Sequence, residues 1–96
     1  MLVVITYDVN TESIAGRKRL RQVAKICEKY GMRVQNSVFE VEVDAAQLAV
    51  LKEELIRRMD IEQDSVRIYR LGNSYEHKIE NLGKTPIVQA GSALLL

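Results

Sequence analysis

Tyr7 and Asp8 stand side by side where the apolar run Leu2-Val3-Val4-Ile5 gives way, after Thr6, to polar residues. A carboxylate at that point sits on a rigid element where a sheet meets solvent, a place in which a site can be held still. Its chemistry is that of a hard oxygen ligand. Magnesium takes octahedral oxygen ligands, keeps several waters, and adds one or two carboxylates and substrate phosphate. One Asp8 is sparse for such an ion; two copies brought together by a two-fold axis supply two carboxylates from one position. Pattern alone favours a turn-forming or helix-capping aspartate over a metal ligand. Arg17, Arg19 and Arg33 can hold phosphate through bidentate hydrogen bonds, or can simply keep a surface soluble. Phe39, the single phenylalanine, suits a core, or a base or sugar contact beside a site. Cys27 falls on an apolar helix stripe and reads as core, and His77 reads as a solvated loop residue. There is no Gly-rich phosphate loop, no nucleophile elbow and no metal-ligand spacing in the sequence.

Charge distribution sharpens this picture. The chain has 96 residues and a net charge of +1, which alone says nothing about partners. Residues 1–39 hold seven basic and three acidic residues, whereas residues 40–64 hold three and eight. The positive charge gathers in Arg17, Lys18, Arg19, Arg21, Lys25, Lys29 and Arg33. Such a local field can bind phosphate in a chain that is near neutral overall, although a solvated helix face has the same composition. One Cys and one His exclude a disulfide framework and a Cys/His zinc cluster. No apolar run approaches the roughly 18 residues of a membrane helix. The opening MLVVITYD lacks a basic region and a cleavage site, so it reads as a strand and not as a signal peptide. The expectation is a soluble, cytoplasmic, single-domain oligomer.

The elements that must position these residues follow from periodicity. Residues 1–8 read as a strand buried on both faces, in the middle of a sheet. Thr11 or Ser13 can cap a helix over 14–30, whose apolar stripe is Ile14, Leu20, Val23, Ala24 and Cys27. Gly31 is expected to end it in the left-handed cap conformation. A strand over 32–35, a turn at Asn36-Ser37 and a strand over 38–43 come next, with Phe39, Val41 and Val43 opposite Glu40 and Glu42. Asp44 caps a helix over 45–59 with the stripe Leu48, Leu51, Leu55 and Met59, and a strand spans 65–71. Strand, helix, strand, strand, helix, strand is the α+β, ferredoxin-like βαββαβ order. The reading is one domain, 1–96, with a core over 1–73 and a docking tail over 74–96. That tail offers a helical turn within 75–82, a turn at 83–86, a strand at 87–89 and an apolar end at 93–96. It suits addition to a neighbour's sheet edge.

The segments VVITYDV, RKRLRQVAKICEKYG and RVQNSVFEVEVD carry a resemblance. A strand ending in Tyr-Asp, an R-x-R-L segment and a Q-x-S-V-F-E segment follow one another as they do in the small CRISPR-associated (Cas) endonucleases, the second core adaptation protein and partner of the integrase subunit. The resemblance covers residues 1–71, and GKTPIV is compatible with it. It implies a ferredoxin-like homodimer whose carboxyl-terminal strand pairs with the partner subunit. It implies that Asp8 is the ligand of Mg2+, or of another divalent cation such as Mn2+, for phosphodiester cleavage, with Tyr7 beside it. It also implies that Arg17, Arg19, Arg33 and Phe39 handle substrate, which in the family is single-stranded RNA or double-stranded DNA. Some members do not cleave, and the shared role is a dimer that bridges integrase subunits and holds DNA. The alternatives are a non-catalytic dimeric DNA-binding scaffold and a ferredoxin-like regulatory domain that binds a small ligand.

Overall fold

The computed structural model describes residues 1–84. Its elements are β1 (Leu2–Asp8), α1 (Ile14–Glu28), β2 (Gly31–Gln35), β3 (Val38–Glu42), α2 (Ala45–Arg58) and β4 (Ser65–Gly72), followed by a single 3-10 turn over Glu76–Lys78. The four strands form one antiparallel sheet in the order β2-β3-β1-β4. The βαββαβ order is therefore realised as an α+β, ferredoxin-like sheet with β1 inside it. The expected turn at 83–86 is described only as far as Lys84, and the strand at 87–89, the apolar end and any pairing of that strand with a partner lie outside the described residues.

Local chemistry explains the helices. Ser13 caps α1, its hydroxyl accepting from the Gly16 N–H at 3.0 Å. Asp44 caps α2 with a reciprocal box: the Gln47 N–H donates to Asp44 Oδ1, and the Asp44 N–H donates to Gln47 Oε1. Each such cap satisfies backbone donors that a helix start leaves orphaned. Val23, Ala24, Ile26 and Cys27 of α1 meet Leu48, Leu51 and Leu55 of α2 in one buried cluster with Val3, Ile5, Tyr7, Phe39 and Val41 from the sheet.

Three local expectations are corrected. Ile14 is 77% exposed, and Ile26 fills the stripe instead. Nine residues separate Ile14 from Val23, which at 3.6 residues per turn is about half a turn of phase, so the two face opposite ways. Helix α1 ends at Glu28, two residues earlier than expected. Gly31 is no left-handed cap: among the described residues the positive-φ glycines are Gly72 and Gly83, and Gly31 opens β2. It is needed for a close approach, because a Cβ there would lie 2.1 Å from the Glu40 carbonyl oxygen.

Alternation along the strands gives the sheet two unlike faces. Val3, Ile5 and Tyr7 of β1, with Phe39 and Val41 of β3, face the helices. Val4, Thr6 and Asp8 share the other face with Val38 and Glu40 of β3 and with Arg67 and Tyr69 of β4. The chain beyond β4 returns over this second face: the Tyr75 hydroxyl donates to Glu42 at 2.7 Å, and Ile79 lines a shallow groove together with Met32 and Val34.

Leu51 is fully buried between helix and sheet. Leu51→Ala is expected to lower the unfolding free energy by about 2–5 kcal/mol through lost transfer and a residual cavity. Ile14→Ala should change it by less than about 0.5 kcal/mol, as an exposed substitution does. Urea unfolding of both variants measures the contrast.

Candidate active site

Asp8 is the last residue of β1 and lies opposite Ser65 of β4 in the sheet register. It is exposed, and no ion pair among the described residues involves it. The backbone on either side is held. The Tyr7 N–H donates to the Ser37 carbonyl at 3.1 Å, Val9 is buried, and the Asn10 N–H donates to Asp64 Oδ1 at 3.1 Å. Asn10 in turn accepts the Glu12 N–H, forming a tight polar turn that leads into the Ser13 cap.

Tyr7 and Asp8 are neighbours in sequence and project to opposite faces of the sheet. Tyr7 is buried in the core, its ring stacked on that of Phe39 with centroids 6.2 Å apart. Burial pushes its hydroxyl pKa up, a shift the nearby Arg33 charge partly opposes. Phe39 has no exposed surface, and the Arg33 guanidinium lies over its ring at 5.3 Å, a cation–π distance. The structure thus assembles Arg33, Phe39 and Tyr7 into one stack on the helix side of the sheet, behind the face that presents Asp8.

The two arginines of the R-x-R-L segment differ. Arg17 is exposed, and its Nη1 donates to the Thr11 carbonyl in the loop that follows Asp8. Arg19 is turned inward. Its Nε donates to Asp64 Oδ2 at 2.8 Å and its Nη2 to Asp64 Oδ1 at 3.3 Å. Asp64 also accepts the Asp60 N–H at 2.8 Å. The Arg19 hydrogen bond, reinforced by these backbone donors, holds the Asp64 carboxyl below its ordinary pKa against the opposing cost of burial. Sequence reasoning missed Asp64: it is one acid before a strand, and its partner is 45 residues away.

Further along α1, Lys18, Arg21 and Lys25 are exposed and take part in no ion pair among the described residues, whereas Lys29 is paired with Glu54 of α2. Cys27 is fully buried, and burial pushes its thiol up to about 12, which disfavours the thiolate at neutral pH. Among the described residues no group of three His, Cys, Asp or Glu side chains gathers as a metal site. No helix among them is long and apolar enough to cross a membrane.

A ferredoxin-like α+β domain with a free carboxylate closing its central strand and loose cations along one helix is suited to handling phosphodiesters. Comparison with known proteins makes the assignment specific. A family model described as CRISPR associated protein Cas2 matches residues 1–79. The chain is 57% identical over 95 residues to the CRISPR-associated endonuclease Cas2 of Halalkalibacterium halodurans, covering 99% of each chain. It is 50% identical to the CRISPR-associated endoribonuclease Cas2 of Chlorobaculum tepidum, covering 99% of this chain and all of the relative. The crystal structure of Streptococcus pyogenes Cas2 at pH 6.5 superposes with a TM-score of 0.77 at 53% identity, covering 86% of this chain and all of that one. The chain belongs to the Cas2 family of CRISPR-associated nucleases.

Because the folded state lowers the Asp64 pKa, the stabilisation is fully present above the unfolded carboxylate pKa of about 4 and is lost as pH falls through the folded value. Acid unfolding followed by circular dichroism should show a steeper loss of stability below about pH 4 in the wild type than in Asp64→Asn, which carries no titrating group there.

Proposed function

We propose that this protein is a divalent-metal-dependent endonuclease of CRISPR adaptation. In this reading it is a cytoplasmic homodimer that cleaves phosphodiester bonds in RNA or DNA and also serves as a scaffold for the integrase subunit. The observation that carries it is Asp8, an exposed carboxylate without an ion-pair partner among the described residues, on a backbone pinned on both sides. The relatives named endonuclease and endoribonuclease support it.

The donor set fits a hard cation. Mg2+ retains several waters and asks for one or two carboxylates, which two Asp8 side chains related by a two-fold axis would provide. Asp8 of each protomer would hold Mg2+ or Mn2+, and the bound ion supplies Lewis-acid polarisation of a phosphoryl oxygen. Arg17 reaches the backbone phosphate with charge-assisted hydrogen bonds. Arg33 adds positive charge over the Phe39 ring, and Phe39 and Tyr7 stacked beneath it anchor β3 and β1 in the core. The tail over 74–96 begins against its own protomer, with Tyr75 hydrogen-bonded to Glu42, and its remainder would dock on the second subunit, where strand addition covers a sheet edge.

A non-catalytic DNA-binding scaffold is the second reading, favoured by one observation. Lys18, Arg21 and Lys25 lie exposed along α1 with no ion pair among the described residues, a basic surface that binding a polyanion needs and cleavage does not.

Labelled double-stranded DNA and single-stranded RNA, each incubated with Mg2+ or with EDTA, distinguish the readings. Cleavage should require Mg2+ and vanish in Asp8→Asn while the dimer stays folded. Cutting that survives the substitution would leave the scaffold as the primary role. DNA affinity should fall steeply with salt, and replacing Arg17 and Arg21 by Ala should reduce the log–log salt slope by about two units if both contact phosphate. An unchanged slope would remove α1 from the interface.

A further inference from the structure

We propose that Asp64 is a positioning residue for Asp8, and that Arg19 serves cleavage by clamping Asp64 and not by touching substrate. The inference rests on the reading of Asp8 as the metal-holding carboxylate and extends it to two residues that would act through the backbone.

The Asp64 side chain has no exposed surface, and that of Arg19 is 16% exposed. One carboxylate accepts from Arg19 Nε, Arg19 Nη2, the Asn10 N–H and the Asp60 N–H. It therefore joins three pieces of chain: the loop after Asp8, helix α1, and the α2–β4 loop. Asp64 immediately precedes Ser65, the residue paired with Asp8, so the clamp closes around the end of the strand that carries the site. Gly16 supplies an independent constraint on the same loop. A Cβ at Gly16 would lie 1.8 Å from the Asn10 carbonyl oxygen, so the loop is seated directly on the first turn of α1. Gly16 and Arg19, three residues apart on the helix, face the loop from one side.

Only an ionised carboxylate suits this place. Asparagine offers one acceptor oxygen and turns an NH2 toward donors that need acceptors. Lysine at position 19 keeps the charge but cannot make the paired hydrogen bonds of a guanidinium. Either change releases Asn10 and, through two peptide units, the direction of Asp8. Arg17, by contrast, is exposed and remains the phosphate contact.

The test uses the full chain as wild type, Asp64→Asn, Arg19→Lys, Arg17→Ala and Asp8→Asn, with three readouts: amide exchange at Asn10, binding of Mn2+ alone by electron paramagnetic resonance, and steady-state cleavage. Asp64→Asn and Arg19→Lys should each speed Asn10 exchange about tenfold or more. They should weaken Mn2+ binding about tenfold, as loss of an orienting partner does. They should lower kcat about tenfold with KM within about twofold, whereas Arg17→Ala raises KM. If Asp64→Asn does not fold, Arg19→Lys decides alone. A raised KM in Arg19→Lys with unchanged Asn10 exchange and Mn2+ affinity overturns the proposal and makes Arg19 a substrate contact. Asp8→Asn separates the two readings: cutting at the wild-type rate would sink the Asp8 reading itself. Lost cutting in Asp8→Asn beside unaltered exchange, Mn2+ affinity and kcat in Arg19→Lys would sink the clamp alone.

Discussion

Side chains on an extended strand alternate, and in β1 that alternation falls between Tyr7 and Asp8. One residue is sealed into the core against Phe39; the next is left in water with its carboxylate free. Every other feature of the site depends on this division. A register slip of one residue would bury the acid and expose the phenol. Pairing on both sides prevents it: β1 is hydrogen-bonded to β3 along one edge and to β4 along the other, with Asp8 opposite Ser65. A strand inside a sheet has no freedom to re-pair, and a charged residue at its end is therefore held by the whole sheet.

The cationic residues sort by what the fold has already done with them. Arg19 is committed to a buried carboxylate, Lys29 to Glu54, and Arg33 to the Phe39 ring, with Glu28 at 3.8 Å. Arg17, Lys18, Arg21 and Lys25 are left on the α1 surface. A basic count in the sequence thus overstates the charge available to a polyanion, because several cations hold the two helices and the sheet together. Breaking a buried ion pair also leaves its partner uncompensated, so such residues are structurally sensitive wherever substrate binds.

Much of the fold was legible because its signals are local. Alternation in Val38–Val43, the Asp44 cap and the stripe Leu48, Leu51, Leu55 each need only a few neighbouring residues to read. The family resemblance singled out Asp8 through the same short strand. What escaped reading was tertiary. Gly31 serves the approach of a Glu40 carbonyl from the next strand, and nothing in Tyr30-Gly31 distinguishes that from a helix cap. Asp64 resembles any surface acid until α1 brings Arg19 against it. Ile14 was legible and misplaced: its phase relative to Val23 already puts it outside the stripe. Phe39 was legible as core, and its full burial beneath Arg33 separates it from the exposed face that carries Asp8.

The single cysteine gives the fold an internal gauge. Cys27 has no exposed surface, belongs to the cluster that joins α1 to the sheet, and carries a thiol whose ionisation burial has driven far from neutral pH. A thiolate-directed reagent meets nothing to attack while that cluster is closed. Its rate of reaction therefore reports how often the core opens, under native conditions and without an introduced label. A bound polyanion, a metal ion or a second subunit that favours the closed form slows that reaction in proportion to its grip, whether or not any phosphodiester is cut.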